Sequence, residues 1–304
     1  MEFGLLLPAG RAQLAAGGDV GAIVDLACEA ERLRFDSVWA GDSIVRARIE
    51  PLTLLTAVAQ ATDHVTLGTA VLLPAFRHPV QAALTVTSLD LISGGRLVLG
   101  VGAGFPGFSE PEFELVGVRF KTRFSHLDDV VRLWRELWSG NPRSFHGKVL
   151  RYDWLPDVPR PAREGGPPIW LAGATPSALR RAGELYDGWL PYPPAPADYA
   201  RGLAAIRPSR PFTPALFATV YVDDDAGRGT AVLEEYAKGT YQRPLSVVGG
   251  IQTMLTGPAP VVAAGLHAYA DAGADHVLIR IGAIDPSTVA EQLPRIAEIV
   301  AQLT

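Results

Sequence analysis

Cysteine is almost missing from this chain: Cys28 is the only one in 304 residues, which excludes an intramolecular disulfide and makes the cytoplasm the default compartment. Lysine is nearly as scarce. Of the 27 basic residues only Lys121, Lys148 and Lys238 are lysines, and none ends a strand, which removes a Schiff-base mechanism of the aldolase type. His64, His78, His126, His146, His267 and His276 are scattered, with no helical pair and no HExxH, so no metal site is expected. No GxSxG occurs, and Gly102 and Gly104 begin a GxGxxG that is never completed. A net charge of -5 offers no basic surface for nucleic acid or membrane, and no apolar run is long enough to span a bilayer. Met1-Glu2-Phe3-Gly4-Leu5 leads straight into a strand pattern, without the basic and apolar regions of a signal peptide, in keeping with a cytoplasmic protein.

What is present is core-forming sequence, 48% hydrophobic and 19% charged, enough for one barrel or two smaller domains. The stretch 64–105 sets the pattern. Residues 65–73 are an apolar, β-branched run suited to a buried strand. Gly68-Thr69-Ala70 interrupts it with small side chains, which marks a bulge or a flat ligand close to the backbone. Pro79 opens a helix carrying Val80, Leu84, Val86, Leu89 and Leu91, and Ser93-Gly94-Gly95 stops it. A second buried strand, 96–101, ends in Gly102-Ala103-Gly104. Such a unit makes a right-handed crossover between parallel strands.

The rest alternates in the same way. Residues 2–7 are the first strand, and Asp19 caps a helix with Val20, Ile23, Val24, Ala27 and Leu33 at helical spacing. A short second strand, 37–40, ends in Gly41-Asp42-Ser43, and Pro51 opens the next helix. An amphipathic helix at 122–139 precedes an excursion at 141–168 with a hairpin at 145–152. Strands at 169–172, 188–190, 216–222 and 276–281 alternate with further helices. Eight strands without a composition break predict a single (β/α)8 barrel over 1–304, with insertions after strands four and seven. The second insertion, 223–258, carries Gly227, Gly229, Gly239, Gly249, Gly250 and Gly257. It reads as a lid of mostly loop with a short helix at 231–237, in which Tyr236, Tyr241, Arg243 and Met254 close over substrate.

Five stretches carry a resemblance: LGTAVLLPAFRHP at 67–79, LDLISGGRLVLGVGAGF at 89–105, FHG at 145–147, PPIWLAGATPSALRRAGELYDGWLP at 167–191 and DAGADHVLIR at 271–280. In this order they resemble the bacterial luciferase-like superfamily, whose members bind flavin or 5-deazaflavin (coenzyme F420) in a TIM barrel. The resemblance implies that Thr69, Ala70 and Val71 lie behind the cofactor ring, with a non-prolyl cis peptide at Ala70-Val71. It sets Gly102, Ala103 and Gly104 beside them, and gives Ala172, Gly173, Ala174 and Thr175 the cofactor phosphate. A small-residue turn into a helix suits that anion, because free backbone N–H groups and the positive helix end meet there. Trp39, Phe105 and Trp189 stand at strand ends, where they are expected to wall an apolar substrate pocket.

The proton-handling residues depart from the family pattern. Where the family often has His after the Asp that follows strand two, this chain has Asp42-Ser43. Where similar deazaflavin dehydrogenases place Glu after the strand-four glycines, it has Phe105. Asp42 and Ser43 are the remaining catalytic candidates, Asp42 as proton donor or as a tie for its loop. The expected reaction needs only a weak proton source: hydride transfer between reduced F420 and a small organic substrate such as an activated alkene or imine. The compact length and GC-biased composition favour F420. FMN-dependent monooxygenation and non-catalytic flavin binding are the alternatives. A homodimer is left open.

Overall fold

Eight parallel strands close a ring in chain order: β1 (Glu2–Leu6), β2 (Ser37–Ala40), β3 (Thr66–Leu72), β4 (Leu97–Val101), β5 (Ile169–Leu171), β6 (Gly188–Trp189), β7 (Thr213–Val222) and β8 (His276–Ile281). They are seen in a computed structural model that describes residues 1–303. β8 pairs back onto β1, from Glu2↔His276 to Leu5↔Ile279, so the ring is complete. Helices cover its outside, and their starts follow local chemistry. Asp19 Oδ1 accepts from the N–H groups of Gly21 and Ala22, and prolines occupy the first turns of Pro51–Ala61, Pro79–Ile92 and Pro176–Leu185. The helix Arg123–Trp138 buries Leu127, Val130, Val131, Trp134, Leu137 and Trp138, the face its spacing predicts. The excursion forms the expected hairpin, Phe145↔Tyr152 and His146↔Arg151, tied down where Asp129 Oδ2 accepts from the N–H groups of Val149 and Leu150. No helix among the described residues is long and apolar enough to cross a membrane.

The core has two layers. Most of it lies between ring and helices; inside the ring, Trp39, Val98, Trp170, Leu190, Ala215 and Leu278 fill the barrel.

Segment 223–258 differs from its expected form. It is a full helix, Ala226–Tyr241, then a short helix, Leu245–Gly249, and a strand, Thr253–Gly257, parallel to the upper half of β7. The strand has a physical reason. On that side β6 reaches only Thr213 and Pro214 of β7, and beyond Phe217, whose N–H donates to the Pro191 carbonyl, the edge of β7 would be left without hydrogen-bond partners. Two of its six glycines are packing contacts: a methyl at Gly229 would lie 2.3 Å from Thr256 Oγ1, and one at Gly239 2.4 Å from Ile284 Cδ1.

One glycine joins the ring to its filling. A methyl at Gly68 would sit 2.1 Å from Trp39 Cε3, and Trp39 cannot retreat freely because its Nε1 donates to Ser37 Oγ at 2.6 Å. Gly68→Ala is therefore expected to cost about 1–3 kcal/mol by overpacking. Urea unfolding checks this; a loss below about 0.5 kcal/mol, the scale of surface substitutions, would contradict it.

Candidate active site

β2, β3, β4 and β5 are neighbours in the ring, so their C-terminal exits form one continuous stretch of rim. The pairing of β3 with β4 shifts between Thr69 and Leu72, and the Ala70-Val71 peptide is cis, as expected. Thr69 is fully buried, its Oγ1 donating to the Gly100 carbonyl at 2.8 Å, while Ala70 and Val71 are half-buried and pack against the barrel filling. The glycines of β4 make room for this bulge. A methyl at Gly100 would meet the Thr69 carbonyl oxygen at 2.2 Å, and one at Gly102 would meet Val71 Cγ2 at 2.7 Å. Ala103 and Gly104 follow, half-buried.

At the exit of β5, Gly173 has φ 109°, a conformation that penalises any side chain. Its carbonyl accepts from Trp189 Nε1 at 2.8 Å, which braces the turn from behind. Thr175 caps the following helix, its Oγ1 accepting from Ala178 N–H at 3.3 Å. Ala174, Thr175 and Ser177 are exposed around a helix start whose first N–H groups have no intrahelical acceptor. That donor set fits a phosphate. Of the three aromatic residues expected along a pocket wall, Phe105 is 43% exposed and packs on Phe108. Trp39 is fully buried inside the barrel, and Trp189 is fully buried and stacked on Tyr199 at 5.1 Å.

Asp42 is engaged as a tie. Its Oδ2 accepts from Leu73 N–H at 3.0 Å and Arg77 Nη1 at 2.6 Å, and its Oδ1 accepts from Arg77 Nη2 at 3.1 Å. Ser43 has a partner that sequence reading missed. Its Oγ donates to Glu112 Oε1 at 2.5 Å, and the same oxygen accepts from Ile44 N–H at 3.1 Å. Glu112 is buried on the short helix Glu110–Leu115, which follows the β4 exit and reaches across β3 to the β2 loop. A carboxylate thus stands beside Ser43 although neither family position carries one. The only sequence signal was the acidic Glu110-Pro111-Glu112 after the glycine turn.

Two other constellations do not make an active site. Glu2, His276 and Ser37 form a hydrogen-bonded chain (3.0 and 2.9 Å), but at the opposite, N-terminal end of the barrel. Ser37 is fully buried there, so it has no access to a substrate. A recess of about 720 Å³ lined by Arg135, Arg163, Asp187 and Arg210 also opens at that far end, away from the rim chemistry.

Fold and rim together define a (β/α)8 barrel of the enzyme type, with its polar and small-residue turns gathered at the C-terminal ends of the strands. The chain belongs to the luciferase-like monooxygenase family, which matches residues 1–302. It is 37% identical over 175 residues to the F420-dependent glucose-6-phosphate dehydrogenase of Nakamurella multipartita, a match covering 55% of this chain and 51% of that relative. The enzyme of the same name from Mycobacterium avium is 36% identical over 179 residues, covering 55% and 52%. The matched region spans about half the length of these relatives. Monooxygenase RslO1 from Streptomyces bottropensis superposes with a TM-score of 0.81 at 21% identity, covering 99% of both chains. An F420-dependent secondary alcohol dehydrogenase in complex with an F420-acetone adduct gives 0.81 at 19%, covering 100% of this chain and 99% of that one. At these identities the two structures establish the shared fold.

The Asp42–Arg77 pair is nearly buried, with side chains 2% and 18% exposed. Arg77→Met should cost about 3–5 kcal/mol by leaving Asp42 uncompensated, and Asp42→Asn in the same chain should recover part of the loss. Denaturant unfolding of the three variants checks this; a loss below about 1 kcal/mol for the single change, the range of a surface pair, would contradict it.

Proposed function

We propose that the protein is an oxidoreductase that uses reduced F420 to reduce a polarised C=C or C=N bond in a small organic molecule. The observation that carries this reading is the unbroken run of small, half-buried rim residues, Ala70, Val71, Ala103, Gly104, Ala172 and Gly173, ending at an exposed helix start. It offers a flat floor with an anion site at one end. The names of the relatives matched, F420-dependent dehydrogenases, support the deazaflavin.

The cofactor, when bound, supplies a hydride. The chain supplies the rest. Ala70, Val71 and the β4 exit shape the floor, the N–H groups of Thr175 and Ser177 hold the phosphate, and Phe105 keeps water from one side. Reduction also needs one proton. Ser43 Oγ, which at rest donates to the Glu112 carboxylate, turns about its Cα–Cβ bond to donate to the substrate, and its proton is replaced by one that the Glu112 carboxylate takes up from solvent and passes on.

Fluorescence titration with oxidised F420 and with FMN tests the cofactor. F420 should bind at least tenfold more tightly. Ala174→Asp, which avoids the positive φ of Gly173, should weaken binding about tenfold, equivalent to 1.4 kcal/mol, at unchanged melting temperature. Tighter FMN binding, or an Ala174→Asp chain that binds like wild type, would sink the reading.

The proton route is tested by the rate at which reduced F420 is oxidised by a panel of enones and cyclic imines. Ser43→Ala and Glu112→Gln should each lower kcat about a hundredfold with KM little changed. Wild-type turnover in both variants would mean that the proton comes from elsewhere.

A further inference from the structure

We propose that Arg48 and Arg280 form an anion subsite at the C-terminal rim, which holds a carboxylate or phosphate carried by the substrate. Arg48 lies on the loop after β2, and Arg280 lies near the end of β8. Only β1 separates those strands in the ring. The Arg48 guanidinium lies across the exits of β1 and β2: a methyl at Gly41 would come within 2.4 Å of its Nη1, and one at Gly10 within 3.4 Å of its Nη2. Its Nε is buried without a hydrogen-bond partner. Asp42, a carboxylate in electrostatic reach, is already committed to Arg77.

Arg280 has only neutral partners. Its Nε and Nη2 donate to Thr219 Oγ1 at 3.1 and 2.7 Å, and Nη2 also donates to Gln252 Oε1 at 3.2 Å. The guanidinium stands over the rings of Phe217, Tyr236 and Tyr241 at 4.7, 5.0 and 5.2 Å. Tyr236 and Tyr241, which face Arg280, are also within electrostatic reach of Arg48. Burial holds the Arg48 guanidinium below its ordinary pKa, and repulsion from Arg280 adds to that effect. Of the other partly buried arginines, Arg77 meets Asp42, Arg135 meets Asp187 and Arg181 meets Asp128, while Arg96 is satisfied by neutral oxygens, Thr62 Oγ1 and the carbonyls of Ala59, Thr62, Val65 and Ser93. Neither Arg48 nor Arg280 forms an ion pair with a carboxylate among the described residues.

Two half-buried guanidiniums at one end of the barrel, neither paired with a carboxylate, favour an anion that joins them. Guanidinium forks match the oxygens of carboxylate and phosphate in pairs, and the tyrosine rings offer an apolar wall for the carbon skeleton beyond. The assignment of this anion to the substrate rests on the oxidoreductase reading; the binding itself does not.

Isothermal titration of the full chain with benzoate and with inorganic phosphate, alone and under saturating oxidised F420, separates the two. Wild type should bind at least one probe saturably, in both conditions. Arg48→Met and Arg280→Met should each weaken that binding at least tenfold, and Arg48→Lys and Arg280→Lys should retain part of it. Preference for benzoate marks a carboxylate substrate, and preference for phosphate a phosphorylated one. The proposal is overturned if neither probe binds, if the arginine variants bind like wild type, or if only Ala174→Asp abolishes phosphate binding. Should F420 fail to bind, the cofactor-free titration still decides the subsite while the redox reading falls.

Discussion

The rim depends on the buried contact between Asp42 and Arg77. Arg77 precedes His78-Pro79, and a residue before proline is held extended, so the chain leaving β3 turns back toward β2 before its helix begins. Arg77 then reaches Asp42 and Glu50 together, and Glu50 in turn caps the helix Pro51–Ala61 by accepting from Thr53 N–H. One guanidinium thereby fixes both ends of the β2 loop. Ser43 and Arg48 lie between those ends, as does the stretch that meets Glu112. Such a pair adds little net stability over a well-packed apolar contact, but removing one member leaves a charge without compensation. Its value lies in holding the loop that carries the polar groups of the site.

Barrel and rim divide the work. Inside the ring Trp39, Trp170 and His276 pack edge and face within 5.7 Å of one another, and Gly4 and Gly68 make room for Trp39. The far end is sealed by the network of Ser37, His276 and Glu2. At the C-terminal end the opposite holds: small residues leave space, helix N–H groups are exposed, and Arg48 and Arg280 lack counter-charges. The small-residue turns, the free helix N–H groups and the two arginines gather at the end of the barrel where enzymes of this fold carry their chemistry.

Much of this was legible in the sequence because local rules and the global fold agree. Asp19, Pro51, Pro79 and Pro176 begin helices for reasons that lie within a few residues of each. The interrupted β3 run reported its bulge. What stayed hidden depends on tertiary contacts. The strand Thr253–Gly257 forms because β6 is too short to cover β7, a shortage that no local window contains. Gly229 and Gly239 resembled loop residues because the side chains they admit, Thr256 and Ile284, come from later in the chain. Trp39 and Trp189 looked like pocket walls because they sit at strand ends, yet each has its indole N–H committed, to Ser37 and to the Gly173 carbonyl. Glu112 could not be placed beside Ser43 without the crossing over β3.

We propose that the exits of β3, β4 and β5 act as one cofactor bed. A crystal structure of the chain soaked with oxidised F420 tests it most directly. The ring is expected against Ala70 and Val71, with the phosphate within hydrogen-bonding distance of the backbone N–H groups at Thr175 and Ser177. A ring bound elsewhere, or a phosphate held by other residues while the β5 turn stays free, would contradict it.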